Sequence, residues 1–391
     1  MAEAHAEFDR RHAAPLRGAL TQQAAVAHRH DRLRLGFVSP DLGRHPVGYF
    51  LVRALENLSP AQHEIICYSD RVLHDDLTRR LQAAAAQWRD VKCLSDQRLA
   101  EQIREDGVDV LFDLAGHTGD NRLLVFARKP APVQITWIGY EGTTGLEAID
   151  YLLADRYMVP EGAERYYRES VLRMPEGYLC YDPPDAAPPV SPLPSLSKGY
   201  TPFGSFNNPA KITSEVVAVW ARILRRAPAA RLVLKYRGLG DPNVKRRYLD
   251  LFAAHDIAPQ RIELLPASSY AEYLATYHQI DVALDPFPFS GSATTCEALW
   301  MGVPVITCPG ETFASRHSLS HLSNLGLTET IARDFDEYVE LAASLAGDLP
   351  RLAALRGNLR QRMAASPLCQ GKRFATNFAS LLHDVWKTRA E

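Results

Sequence analysis

Asp285-Pro286-Phe287-Pro288-Phe289-Ser290-Gly291-Ser292-Ala293-Thr294-Thr295-Cys296-Glu297-Ala298-Leu299-Trp300-Met301-Gly302-Val303-Pro304-Val305-Ile306-Thr307 reads as a strand exit, a small-residue turn, a helix and a second strand. The apolar run Val282-Ala283-Leu284 leads into it, and after Phe289 the turn carries no bulky side chain. Free N–H groups and hydroxyls at a helix N-terminus stabilise an anion, and small residues let a diphosphate approach the backbone closely. Gly291, Ser292, Ala293, Thr294 and Thr295 supply both conditions. Glu297, further into the helix, can accept two hydrogen bonds from ribose hydroxyls. The same residues also suit an ordinary βα turn with a surface glutamate, so the stretch needs its surroundings.

Outward from this stretch the chain alternates strand and helix. Leu33 to Ser39 reads as a buried strand emptying into Pro40-Asp41-Leu42-Gly43-Arg44-His45-Pro46 before a helix over Tyr49 to Leu58, the opening unit of a doubly wound sheet. Strands are expected at His63 to Tyr68, Val91 to Leu94, Val108 to Leu114 and Val133 to Trp137, separated by helices over Asp76 to Gln87, Asp96 to Asp106 and Arg122 to Phe126. Loops after parallel strands share one sheet edge, so His45, His117 and Tyr140 are expected at one crevice. Residues 183–200 hold six prolines, which oppose helix and ladder alike, and read as the linker between two domains. A second series begins at Phe203 and runs through strands at Arg231 to Tyr236 and Arg261 to Leu264. Three helices, near Phe335 to Ala346, Leu349 to Ala364 and Lys372 to Thr388, close it. The expected divisions are residues 1–32 as a helical connector, with Phe8, Leu16, Leu20 and Ala24 at helical spacing, then 33–182, 183–200 and 201–391.

The 391 residues exceed one core and suit two domains. With 46% hydrophobic and 23% charged residues the composition is that of a globular protein, and no apolar run reaches the roughly 18–20 residues of a membrane span. A formal charge of −2 gives no basic footprint for nucleic acid. Six scattered cysteines without a C-x-x-C pair read as reduced core thiols, and the N-terminal residues lack a secretory h-region, so a cytoplasmic protein is expected.

The order phosphate turn, Glu297, then Ala-Leu-x-x-Gly-x-Pro-Val resembles the donor-nucleotide motif of glycosyltransferases with two facing Rossmann-like domains. Five further stretches narrow this: Arg44-His45-Pro46; Ala115-Gly116-His117-Thr118; Trp137-Ile138-Gly139-Tyr140 with Gly142-Thr143-Thr144-Gly145; Phe206-Asn207-Asn208-Pro209-Ala210-Lys211-Ile212; and Pro309-Gly310-Glu311-Thr312-Phe313-Ala314-Ser315-Arg316. Together they resemble the catalytic region of O-linked N-acetylglucosamine transferases and SPINDLY-type proteins, from about Leu33 onward. The resemblance implies an α/β fold of two Rossmann-like domains facing across a cleft, and an inverting transfer of N-acetylglucosamine from UDP-GlcNAc to Ser/Thr hydroxyls of a protein or peptide acceptor. Transfer of fucose from GDP-fucose is the alternative within the family. A sugar-nucleotide epimerase, or a module that only binds nucleotide sugars, is the alternative within the fold. Family members carry tetratricopeptide repeats that present the acceptor, and this sequence shows none. The long insert between the domains of the animal enzymes is also missing, as in bacterial-type members.

The resemblance places Lys211 on the family's phosphate-facing lysine, where an ammonium stabilises charge developing on the leaving diphosphate. No D-x-D motif accompanies it, so no metal is expected, and Lys211 with helix N–H groups takes a cation's place. His45 and His117 are candidates for acceptor activation or donor-sugar contact, with that choice open, and Asp113 either orients His117 or closes its strand. Asn208, Ser268, Gly139 and Tyr140 join the donor-binding set. Tyr273 stands where family members stack a side chain on the base, although packing under its helix fits equally.

Overall fold

Seven strands run in parallel through the first part of the chain: β1 (Leu33–Ser39), β2 (His63–Ser69), β3 (Gln87–Asp90), β4 (Val110–Asp113), β5 (Val133–Thr136), β6 (Tyr151–Asp155) and β7 (Ser170–Met174), in the spatial order β3-β2-β1-β4-β5-β6-β7. Five more, β8 (Pro202–Ser205), β9 (Arg231–Lys235), β10 (Ile262–Leu265), β11 (Val282–Leu284) and β12 (Val305–Ile306), form a second parallel sheet in the order β10-β9-β8-β11-β12. This computed structural model describes residues 1–17 and 31–390, with side chains to 388; the Leu20 and Ala24 positions of the expected connector lie outside the described residues.

Each sheet reverses its winding direction once, between β1 and β4 in the first and between β8 and β11 in the second. In doubly wound sheets the loops leaving such neighbouring strands part company and leave a ligand crevice at their C-terminal ends. The fold is therefore two Rossmann-like units, one spanning Met1–Asp182 and Cys369–Glu391, the other Pro183–Leu368.

Local sequence explains the elements that frame the second switch point. Thr213 caps the helix Ser214–Arg226 by accepting the Val216 N–H at 3.3 Å, and Val216, Val217, Trp220, Ile223 and Leu224 form its buried stripe. That stripe packs with Phe203, Leu232, Leu234, Phe252 and Tyr338 in the core of the second unit. At its far end Arg261 donates to the carbonyl of Leu224, an acceptor in the last turn, and to those of Ala227 and Ala230 just beyond it, at 2.7–2.9 Å.

Three expectations are corrected. The strand expected at Val91 to Leu94 is β3 at Gln87–Asp90, and the preceding helix stops at Ala84. β3 is an edge strand whose half-buried Arg89 is paired with Asp106 at 2.5 Å, so it lacks the apolar run that marks the central strands. Residues 183–200 cluster with the second unit, and the segment is anchored rather than free: Leu193 is in its core, and buried Arg356 donates to the Ser191 carbonyl at 2.7 Å. Finally, the last helix, Gly371–Ala390, expected in the second domain, packs on the first unit, where Phe374 and Phe378 stack against Trp137 with centroids 6.0 and 5.1 Å away. Of the six cysteines, all free, five are buried and Cys93 is exposed. Among the described residues no helix is long and apolar enough to cross a membrane.

Candidate functional site

The second unit gathers its chemistry at the switch point. β8 and β11 are neighbours in register, with Phe203 opposite Val282, so the loops that follow them face each other. From the β8 loop, Asn208 caps the single turn Pro209–Lys211 by accepting the Ala210 N–H at 3.0 Å, which aims Lys211 across the crevice. Lys211 Nζ donates to the Ser290 carbonyl at 2.8 Å and lies 3.9 Å from the Phe289 ring centroid. Burial lowers the Lys211 pKa to about 8, opposed by the carboxylate of Asp285.

Asp285 ends β11 and shapes the turn. One oxygen accepts the Gly291 N–H at 2.6 Å and the other the Thr307 hydroxyl at 2.7 Å. Burial raises this carboxyl to about 6, while Thr307, Gly291, Ser318 and Lys211 act the other way. Glycine is required at 291 because a Cβ there would stand 2.5 Å from Thr294 Oγ1 and 2.7 Å from Thr295 Oγ1. The helix Ala293–Trp300 starts after Ser292, whose carbonyl accepts the N–H groups of Thr295 and Cys296 at 3.1 Å, so those of Ala293 and Thr294 precede the first helical bond. Ser292, Ala293 and Thr294 are half-buried and line this opening, whereas Thr295 is buried and its hydroxyl is engaged with Ser318 at 2.7 Å. Ser290 is held by the Ala314 carbonyl, which accepts its N–H at 2.8 Å, and by the His317 N–H, which donates to its Oγ at 3.1 Å. Burial drives the His317 pKa well below the ordinary value, so a neutral imidazole backs the turn. A cavity of about 530 Å³ lies beside it, lined by Phe287, Pro288, Pro309, Glu311 and Phe335 among others.

Glu297 is not the surface residue of an ordinary turn. It is 6% exposed, and its carboxylate accepts the Tyr273 hydroxyl at 2.8 Å and the Tyr270 hydroxyl at 3.2 Å. Burial raises its pKa to about 7 against the pull of those two phenols. The Tyr273 ring meets Phe206 edge-on at 5.8 Å and lies parallel to Tyr270 at 6.1 Å. Ser268, in the loop after β10, is exposed and donates to the Ser269 carbonyl at 3.2 Å.

The first unit brings together another group. Gly139 lets the loop after β5 touch the loop after β4: a Cβ there would lie 1.9 Å from the Leu114 carbonyl oxygen. Tyr140 then stands edge-on to His117 at 6.0 Å. His117 Nε2 bonds the Thr144 carbonyl at 2.7 Å, which makes Nε2 the protonated nitrogen. His5, from the helix Ala2–Phe8, stacks on His117 at 3.9 Å. Asp113 closes its strand: it accepts the N–H groups of Ala115 and Gly116 and the Thr136 hydroxyl at 2.9–3.1 Å, and burial raises its pKa. His45 sits across the switch point, on the loop after β1. There it caps the helix Pro46–Asn57, accepting the Val47 N–H at 3.3 Å with Asp41 at 3.6 Å, and burial lowers its pKa.

Sequence reasoning missed Asp285, Asn207, Ser290, His317, Tyr270 and Tyr277. Asn207 was legible only as a neighbour of Asn208, yet it is the buried one, accepting the Thr294 hydroxyl at 3.1 Å. Asp285 carried one available signal, a lone carboxylate at the end of an apolar strand. Among the described residues no three His, Cys, Asp or Glu side chains gather as a metal site.

Comparison with known proteins identifies the family and the fold. The model of glycosyl transferase family 41 matches residues 11–187 and 195–378. A Petunia hybrida protein named as a probable UDP-N-acetylglucosamine–peptide N-acetylglucosaminyltransferase SPINDLY is 41% identical over 361 residues, 91% of this chain and 39% of its own length. The Arabidopsis thaliana SPINDLY protein is 39% identical over 360 residues, with the same two coverages. The chain thus spans about two-fifths of the length of these curated relatives. A solved Thermobaculum terrenum O-GlcNAc transferase mutant is 39% identical, with a TM-score of 0.93 over 99% of this chain and 74% of that one. Anabaena HepE, solved with UDP and glucose, shares the fold at 10% identity, with a TM-score of 0.57 over 90% of this chain and 100% of that one.

Proposed function

The chain belongs to glycosyl transferase family 41, and from that premise we propose that it transfers N-acetylglucosamine from UDP-GlcNAc to Ser or Thr hydroxyls of a protein acceptor, with inversion and without a metal ion. The observation that carries this reading is the convergence of Lys211, the Gly291 turn and Glu297 at one switch point. The diphosphate of the donor meets the N–H groups that open the helix Ala293–Trp300 and the Lys211 ammonium. Its ribose hydroxyls bond Glu297. As the acceptor oxygen attacks the anomeric carbon and the bond to the diphosphate breaks, negative charge gathers on the phosphate oxygen, where Lys211 supplies the compensating charge that a divalent cation provides in other transferases. His45 or His117 takes the acceptor's proton. For His117 only Nδ1 has the free lone pair, since Nε2–H is committed to Thr144.

The test is mass spectrometry of acceptor peptides incubated with UDP-GlcNAc, with GDP-fucose in parallel. A mass increase of one N-acetylhexosamine is expected; a deoxyhexose instead would shift the assignment to fucosyl transfer, and no addition from either donor would overturn the transferase reading.

Glu297→Ala is expected to weaken UDP binding by about 1.5–3 kcal/mol, the range for hydrogen bonds to a charged group. Calorimetry with UDP measures it, and an unchanged Kd would show that Glu297 has no contact with the nucleotide. The same groups set a pH dependence. Glu297, raised to about 7, is neutral below that pH and loses its charge-assisted bonds; Lys211, lowered to about 8, is neutral above that pH and loses its grip on the diphosphate. The value of kcat/KM for the donor should therefore be bell-shaped with its maximum between the two, since that ratio reports the free protein's groups. Glu297→Gln is expected to flatten the acid limb and Lys211→Arg to move the alkaline limb upward.

A further inference from the structure

Two phenols bond Glu297 and a third stands behind them, and together they face more acceptors than they have protons. Tyr270 donates to Oε1 at 3.2 Å and Tyr273 to Oε2 at 2.8 Å. The hydroxyl oxygens of Tyr273 and Tyr277 are 3.2 Å apart, and Tyr277 also reaches the Thr294 carbonyl at 3.2 Å. A phenol has a single proton. Once Tyr273 gives its proton to the carboxylate it meets Tyr277 only as an acceptor, so Tyr277 must divide its own proton between Tyr273 and Thr294.

The protonation of Glu297 decides that division. When the carboxyl is ionised, charge-assisted bonding favours donors that all run one way, Tyr277 to Tyr273 to Oε2. When it is neutral, its own proton can be donated to Tyr273, which then turns toward Tyr277, and Tyr277 turns to the Thr294 carbonyl. No oxygen is stranded in either direction. The rings cannot follow: Tyr277 packs against Phe206 at 4.5 Å, and Tyr273 is held between Phe206 and Tyr270, so only hydroxyl protons reorient.

Resting on the donor-site reading above, we propose that Tyr273 and Tyr277 are positioning residues: a two-phenol hydrogen-bond chain whose direction follows the protonation of Glu297, linking ribose recognition to the phosphate turn at Thr294. Tyr270 is the fixed second donor to the carboxylate. With Glu297 ionised, each carboxylate oxygen holds one phenol and keeps lone-pair capacity for one ribose hydroxyl, and the Thr294 carbonyl is released from Tyr277. Binding a ribose therefore selects the direction in which the turn carries the donor. Burial places Glu297 at about 7, where both directions are populated near neutral pH; the titratable groups facing it are Tyr270 and Tyr273, with Tyr277 and Cys296 behind them.

The chain is tested in the free protein by an infrared pH titration of the protonated carboxyl band that Glu297→Gln abolishes, and in the complex by UDP calorimetry across the same range. Tyr273→Phe is expected to raise the band's midpoint and weaken UDP binding roughly tenfold at neutral pH, with much less effect at the alkaline end. Tyr277→Phe touches neither the carboxylate nor the nucleotide. It should move the midpoint in the same direction by less and raise the donor KM about threefold with kcat almost unchanged. Fluorotyrosine incorporated throughout the wild-type chain makes every phenol a stronger donor and should lower the midpoint, which keeps the idea testable if a Phe variant fails to fold. A midpoint that Tyr273→Phe or fluorotyrosine leaves in place overturns the chain, and one moved by Tyr273→Phe but not by Tyr277→Phe overturns the link to Thr294. Failure of UDP and GDP to bind while the midpoint moves as stated would count against the donor-site reading and leave the chain standing.

Discussion

Lys211→Met is expected to lower the rate of the proposed sugar transfer by roughly two to three orders of magnitude, about 3–4 kcal/mol of transition-state stabilisation, and to leave the melting temperature and most of the UDP affinity in place. The methionine keeps the stem of the side chain over Phe289, whose centroid lies 3.9 Å from the ammonium, so packing is largely conserved. What disappears is a cation that Asp285 and the Ser290 carbonyl hold in place before any substrate arrives. An ammonium fixed at the diphosphate does more when the glycosidic bond breaks than when the donor merely binds, because only then does the phosphate oxygen gain charge. Lys211→Arg is a useful second variant: it keeps the charge but replaces a compact point by a planar fork, and partial activity is expected. Single-turnover transfer measured beside UDP calorimetry separates the two effects. A normal rate in Lys211→Met would place the whole burden of charge stabilisation on the helix N-terminus.

Much of this site was legible because its chemistry is carried by short contiguous stretches. The turn from Ser290 to Thr295 has no bulky side chain, as the proposed diphosphate contact requires, and the βα alternation around it could be read from apolar runs such as Val282-Ala283-Leu284. Lys211 was legible by resemblance, and the adjacency of β8 and β11 accounts for why a residue 79 positions from Ser290 bonds its carbonyl. The phenol cluster was not legible. Tyr270, Tyr273 and Tyr277 recur at helical spacing, and aromatic residues in that pattern satisfy core packing as well as any polar role. Only the position of Glu297 tells the two apart. The docking of the last helix was hidden for a related reason: Phe374, Phe378 and Leu382 announce an apolar stripe, but a stripe does not say which partner it covers, and here the partner is Trp137 and Phe112 in the first unit.

Arg356→Ala is expected to lower the stability of the second unit by about 3–5 kcal/mol, although no motif marks the residue. Arg356 is 2% exposed, and its guanidinium makes four contacts: the Ser191 carbonyl at 2.7 Å, the Ser191 hydroxyl and the Ile280 carbonyl at 2.9 Å, and the Tyr277 carbonyl at 3.3 Å. Truncation leaves the buried carbonyls of Ile280 and Tyr277 and the half-buried carbonyl of Ser191 without this donor and opens a cavity, and it also removes the positive charge that opposes the burial of Asp281. Arg356→Lys should recover little, because one ammonium cannot span acceptors that a planar fork reaches together. The contacts also explain why the loss should reach the donor. Ser191 belongs to the proline-rich segment, Ile280 leads into β11 and hence the phosphate turn, and Tyr277 is the inner phenol behind Glu297. One side chain therefore ties the segment to both halves of the proposed donor site. Thermal and urea melts of Arg356→Ala check the stability, and UDP calorimetry below the transition checks the coupling. A melt within about 1 °C of wild type, where a few degrees per kcal/mol are expected, would show that the segment from 183 to 200 is held without Arg356, by Leu193 in the core and by bonds such as the Ser195 N–H to Asp281 and Arg360 to the Pro188 carbonyl.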